Sequence, residues 1–383
     1  MDEAFIIVSP DYPPHMGGVE RYSWNLAGEL KNRGYSVFVV SSSMKGEASK
    51  SVDERGVTVL RFPSLWIIPD RMPVALPTKM WKQLEAELED YKNVKLIAQT
   101  NLYLLSLFGL RFAADHGIKS MMIIHGSNYV CLGNGTIDRL EHVYERWIVK
   151  HAKIFCSNFA SVSNAGAEFA KSLGCNVGTI AYNAIDTSDI SFAKEQKAVS
   201  LREKYCLEPE SRIIAFAGRL IREKGVLQLV SACEGLLKEG YDFSLLMMGD
   251  GPLLSEIKKH ANNRIVAAGW LPHAEVIECL KQSDGFILPS DSERFPTSLL
   301  EAAACGCYVI AAPYGGQQEA AELVNGFVMN SNSADDIAEA CRFFLDNADS
   351  LTENAKRTKD TLADKVSWSK TADKIISAFK DDE

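Results

Sequence analysis

The chain has 383 residues, too many for one ordinary core and suited to two domains of common size. Apolar residues make up 46% and charged residues 24%, the balance of a water-soluble globular protein. A net charge of −9 argues against a general nucleic-acid binder while leaving room for a local basic site that takes a small anion.

Short β-like runs alternate with helical patterns from end to end, which predicts an α/β protein built on parallel sheets. The first run is Phe5-Ile6-Ile7-Val8. After a loop, a helix is predicted with Val19, Tyr22, Leu26 and Leu30 on one face and Gly34 closing its end. Further β-like runs are Ser36–Val40, Val57–Leu60, Val94–Ile97 and Met121–Ile124. The polar stretch from Ala184 to Ser200 reads as an interdomain linker. The pattern then restarts with Ile213–Ala217, Leu245–Met248, Ile265–Ala268, Phe286–Leu288 and Tyr308–Ala311. Two doubly wound units joined by one linker is the simplest arrangement, and such units bind ligands at the carboxyl ends of their strands.

Those strand ends carry the unusual residues. Gly17-Gly18 precedes the first helix, where backbone amides and the helix dipole can approach an anion. His125 follows the Met121–Ile124 run. Gly218-Arg219 and, a few residues later, Lys224-Gly225 put cations before another helix, a fork and a point charge suited to phosphate. Gly249-Asp250-Gly251-Pro252 and Gly269-Trp270-Leu271-Pro272 end two more strands and could each be a plain turn. In "SERFPTSLLEAAACG", Glu293 falls on the loop after a buried strand, Pro296 stands at the start of a helix, and Glu301 lies about one turn inside it. Gly315-Gly316-Gln317-Gln318-Glu319 follows the last strong run. No Gly-x-Gly-x-x-Gly occurs, which removes the support for a nicotinamide dehydrogenase.

Nine cysteines are scattered without a Cys-x-x-Cys or a zinc-spaced cluster, predicting free, mostly buried thiols of a reducing compartment. The opening Met-Asp-Glu-Ala does not read as a secretory signal, and no apolar run reaches the length of a membrane span. The expected location is therefore cytoplasmic. The stretch 61–82 is apolar, holds four prolines and includes Trp66, Trp81, Arg61, Arg71, Lys79 and Lys82. It is expected either to fold onto the core or to make peripheral contact with the inner face of a membrane.

Read in order, the Gly-Gly-Val-Glu loop, His125-Gly126, Gly218-Arg219, Lys224-Gly225, Gly249–Pro252, the Glu293/Glu301 pair, Ala304-Cys305-Gly306 and Gly315-Gly316-x-x-Glu319 carry a resemblance. The sequence resembles the retaining GT-B glycosyltransferases, the large family that includes sucrose synthases, bacterial mannosyltransferases and polysaccharide-assembly enzymes. It does so from residue 5 to Trp368. Two Rossmann-like domains facing across a cleft are implied, residues 1–185 binding acceptor and 200–383 binding nucleotide sugar. The last helix would cross back to the first domain.

The resemblance also implies roles. Arg219 and Lys224 would stabilise the leaving diphosphate, and His125 would contact the sugar. Glu293 would hold the sugar hydroxyls and Glu301 the ribose. Arg294, Phe295, Pro296 and Thr297, with Gly17, Gly18, Gly218 and Leu271, would complete the donor site. Arg294 stands where the family often has glycine, which narrows the sugar pocket. No Asp-x-Asp occurs, so no metal is expected, and no cofactor. The implied reaction moves a hexosyl or N-acetylhexosaminyl group, with retention, from a UDP- or GDP-sugar. Its acceptor would be a glycan or polyprenyl-linked lipid in cell-surface polysaccharide or glycolipid synthesis. The alternatives are a nucleotide-sugar epimerase and a non-catalytic nucleotide-sugar-binding protein of the same fold.

Overall fold

The computed structural model describes residues 2–14, 17–43, 47–68, 72–75, 79–129, 135–185 and 200–380, without the side chains of 66–68, 72 and 75. His15 and Met16 of the first loop, most of the linker, Cys131 and Asn134 lie outside the described residues. The chain divides into two compact units, Met1–Asn183 with Trp368–Glu383, and Ala184–Ser367.

The first unit is built on an eight-stranded sheet of order β10-β9-β8-β7-β1-β2-β4-β3. Its strands are β1 (Glu3–Val8), β2 (Ser36–Ser42), β3 (Lys50–Val52), β4 (Thr58–Phe62), β7 (Asn93–Gln99), β8 (Lys119–Ile124), β9 (Asn158–Ser161) and β10 (Val177–Ile180). All neighbours are parallel except β3, which pairs antiparallel with β4. The central strands are near-continuous apolar runs because both faces are covered, and Phe5, Ile6, Ile7 and Val8 are fully buried. Covering helices are α1 (Gly18–Asn32), α2 (Met80–Leu88), α3 (Leu104–Asp115), α4 (Gly135–Phe155) and α5 (Asn164–Ser172). The last helix of the chain, Trp368–Lys380, packs here. Arg33 of the α1 C-cap binds Asp373 and Ser369, and the Tyr22 and Trp368 rings meet edge-on at 5.1 Å.

Strands β5 (Ser64–Ile68) and β6 (Met72–Ala75) form an antiparallel hairpin within the apolar stretch 61–82. Two residues thought suited to a membrane are instead used internally. Trp81 stacks on Phe112 with ring centres 5.0 Å apart and meets Phe62 edge-on at 4.7 Å. Arg61 is buried, donating to the Pro13 carbonyl at 2.6 Å and to Ser51 at 2.9 Å, with Glu47 at 3.3 Å. A buried guanidinium needs such partners, so this cation is not available to headgroups. Leu65 remains exposed.

The second unit carries a six-stranded parallel sheet of order β13-β12-β11-β14-β15-β16. Its strands are β11 (Arg212–Ala217), β12 (Phe243–Met248), β13 (Ile265–Gly269), β14 (Gly285–Leu288), β15 (Tyr308–Ala311) and β16 (Phe327–Val328). Helices α6 (Leu201–Tyr205), α7 (Val226–Lys238), α8 (Leu254–His260), α9 (His273–Lys281), α10 (Thr297–Cys305), α11 (Gly316–Leu323), α12 (Ala334–Asp346) and α13 (Ala348–Leu362) surround it. The order reverses between β11 and β14, and that reversal opens a crevice beyond the strand ends. Among the described residues eight cysteines are free, and all but Cys206 are buried. Burial pushes the Cys305 thiol up to about 12 and leaves it an inert part of the core.

Candidate active site

In the second unit the loops after β11 and β14 meet across the reversal of strand order. A short 3₁₀ turn, Arg222–Lys224, leads into α7, and Lys224 forms an ion pair with Glu293 from the β14 loop. Both side chains are largely buried, 18% and 15% exposed. Ser290 donates its hydroxyl to the same Glu293 carboxylate oxygen at 2.9 Å. The buried Gln317 fixes Ser290 in turn, donating its amide to the Ser290 carbonyl at 2.6 Å. Glu293 is also held through its backbone, its carbonyl accepting from Gly316 N–H at 2.7 Å.

Two glycines make this approach possible. Gly225 has φ +65°, and a Cβ there would run into the Pro289 carbonyl. At Gly316 a Cβ would strike the Arg294 carbonyl. The paired glycines at 315–316 are therefore needed where the β15 loop passes over the β14 loop. The sequence showed the motif but not this packing.

The remaining donor-site candidates of this unit lie on its strand-end loops and the helix starts that follow them. Arg219, one residue past Gly218, is exposed and has no ion-pair partner among the described residues. The Gly218 N–H is tied to Met248 at 3.0 Å, and Leu220 N–H to Asp250 at 2.8 Å, which seats the loop after β11 on the Gly249–Gly251 turn. Leu271, half-buried, precedes the start of α9. Arg294 is exposed, while Phe295 and Pro296 are buried and anchor the loop. Pro296 caps α10 with no side-chain hydrogen bond, so Thr297 opens a helix whose positive end lies at the site. Glu301 sits one turn further in, only 12% exposed, and its carboxylate meets His273 Nε2 at 3.1 Å. Ser290 and His273 were not found by sequence reasoning, since neither belongs to a motif, and Gln317 was quoted only as a variable position inside Gly315-Gly316-x-x-Glu319.

In the first unit, Gln99 ends β7, the neighbour of β1 where that sheet also reverses order, and His125 follows β8, one strand further out. His125 is buried, its Nε2 2.7 Å from Gln99 Oε1, and its ring meets Tyr22 edge-on at 4.9 Å. Gly17 caps α1 without a side-chain bond, and a Cβ on Gly18 would meet no atom within 4 Å. Nearby, a cavity of about 470 Å³ is lined by Tyr12, Pro13, Pro14, Trp24, Asp53 and Arg61, among others. Burial and the adjacent Asp53 carboxylate, which accepts from Tyr12 at 3.0 Å, hold the Tyr12 hydroxyl protonated.

Two doubly wound units with this furniture at their strand ends define the class. Residues 200–361 match the family described as Glycosyl transferases group 1, and residues 16–189 match Glycosyltransferase Family 4. The chain belongs to the GT-B glycosyltransferases. An uncharacterised glycosyltransferase of Methanocaldococcus jannaschii is 24% identical over 98% of both chains. Sucrose-phosphate synthase from Thermosynechococcus elongatus has a similar structure, with a TM-score of 0.74 over 99% of this chain and 98% of that one at 16% identity. So does HepE of Anabaena in complex with UDP-glucose, with a TM-score of 0.70 over 99% of both chains at 17% identity.

Proposed function

We propose that the chain is a retaining hexosyl- or N-acetylhexosaminyltransferase. Its donor is a UDP- or GDP-sugar, and its acceptor a glycan or polyprenyl-linked lipid of cell-surface polysaccharide or glycolipid synthesis. The observation that carries this reading is the Lys224–Glu293 pair, which spans the strand-order reversal of the second unit. A ligand in that crevice is offered a cation and a carboxylate side by side, already partly freed from water. On donor binding the Lys224 ammonium turns to the diphosphate, and Arg219 supplies the second positive charge. Glu293 then accepts from sugar hydroxyls, as Glu301 does from the ribose. Preorganised cations act on the charge that grows as the diphosphate leaves.

A carboxylate that accepts from the Ser290 hydroxyl and from sugar hydroxyls is a poor nucleophile. Glu293 is accordingly a binding group, with attack on the same face as departure and a donor phosphate oxygen taking the acceptor proton. His125 and the amides near Gly18 are the first unit's candidates for polar contact with a ligand, and that unit is the one read as taking the acceptor. A carboxylate nucleophile would instead need a second carboxyl about 5 Å away.

Thermal unfolding with UDP, GDP and ADP, each in excess chelator, tests the donor side. One of the first two should raise the melting temperature, as any ligand of the native state does. The basic pair and the missing Asp-x-Asp predict that the shift persists without divalent metal. No shift with any nucleotide, or one that returns only with magnesium or manganese, contradicts this.

A further inference from the structure

Helix α4 buries Glu145, Ile148, Val149 and Ala152 against the first unit. Its opposite side is unusual. Ile137, Leu140, Val143, Trp147 and Ile154 are 48, 67, 65, 44 and 69% exposed. At 3.6 residues per turn these five fall within an arc of about 120°. Arg139, Arg146, Lys150 and Lys153, all exposed, occupy a strip of about 60° along one edge of that arc. The helix also has three acids, Asp138, Glu141 and Glu145, and none of them is exposed. Trp147 is held on the surface between Tyr144, stacked at 6.5 Å, and His151 at 4.3 Å.

Charge is thus sorted on α4 against the trend of a chain whose net charge is −9. An exposed apolar stripe with a tryptophan and an all-cationic edge matches a helix lying in the headgroup region of an anionic bilayer. No described helix is long and apolar enough to cross a membrane. We propose that the exposed face of α4 is a membrane-docking surface, its apolar stripe entering the headgroup layer and its four cations facing lipid phosphates. The hydrophobic edge supplies depth, and the charged edge selects anionic lipid. The proposal stands apart from the donor chemistry, since no donor-site residue lies on α4.

Co-sedimentation of the full chain with phosphatidylcholine vesicles, with and without phosphatidylglycerol, tests it. The wild type should pellet with the anionic vesicles at low salt and be released by high salt. Leu140→Ser/Trp147→Ser and Arg139→Glu/Lys150→Glu should each lower the bound fraction about fivefold or more. Both pairs are exposed, and unchanged circular dichroism checks their folding. A wild type that stays in the supernatant overturns the proposal. So do variants that bind like wild type, which would move the contact to another segment such as the 61–82 hairpin. A lipid-free dimer broken by the serine pair, with vesicle binding intact, would assign the face to a second copy.

Discussion

Replacing Lys224 by alanine should lower turnover by about 10²-fold or more, the scale of removing one preorganised donor to developing charge. A diphosphate carries more charge than one cation balances, so Arg219→Ala should lose a similar amount. The two variants should differ in stability. Arg219 is exposed and has no ion-pair partner among the described residues, so its loss strands no charge there. Lys224 is the partner of a largely buried carboxylate, and its loss leaves the Glu293 carboxylate with Ser290 as its one side-chain partner among the described residues. A lower melting temperature is thus expected for Lys224→Ala and not for Arg219→Ala. Turnover is compared at a temperature where both are folded, and near-native turnover in both refutes the assignment.

The two glutamates should separate in binding. Glu301→Ala removes a carboxylate proposed to accept from ribose hydroxyls, and should weaken bare nucleotide diphosphate about tenfold or more. Glu293→Ala should not weaken it, because the freed Lys224 then has the diphosphate as its partner. Calorimetry with the free nucleotide discriminates, and equal losses in both variants would refute the division of labour.

Much of this site could be read from the chain. The apolar runs marked the strands of both sheets' centres, because a parallel strand covered on both faces has no polar alternation to confuse the reading. The strand-end loops were legible through their glycines and charges. What could not be read was which loops meet. Lys224 and Glu293 are 69 positions apart, and they touch only because β14 lies beside β11. Sequence order does not reveal that adjacency. Strands such as Asn158–Ser161 and Phe327–Val328 escaped because they are short, the first opening on a polar residue. Arg61 and Trp81 misled for a physical reason: a cation and an amphipathic ring look alike whether they face a headgroup or a buried carbonyl. On α4, the sheltering of the acids, Glu145 buried and Asp138 and Glu141 half-buried, and the exposure of the apolar residues are properties of the packed helix.

The most direct measurement follows nucleotide-sugar cleavage in real time by proton NMR, in the absence of acceptor and in excess chelator. A UDP- or GDP-linked α-sugar should be split slowly by wild type, the sugar appearing first as its α-anomer, and Lys224→Ala should leave the donor intact. Initial release of the β-anomer would contradict retention. Intact donors throughout a panel of UDP- and GDP-sugars, with folded protein and later with added acceptor glycans, would contradict the transferase itself.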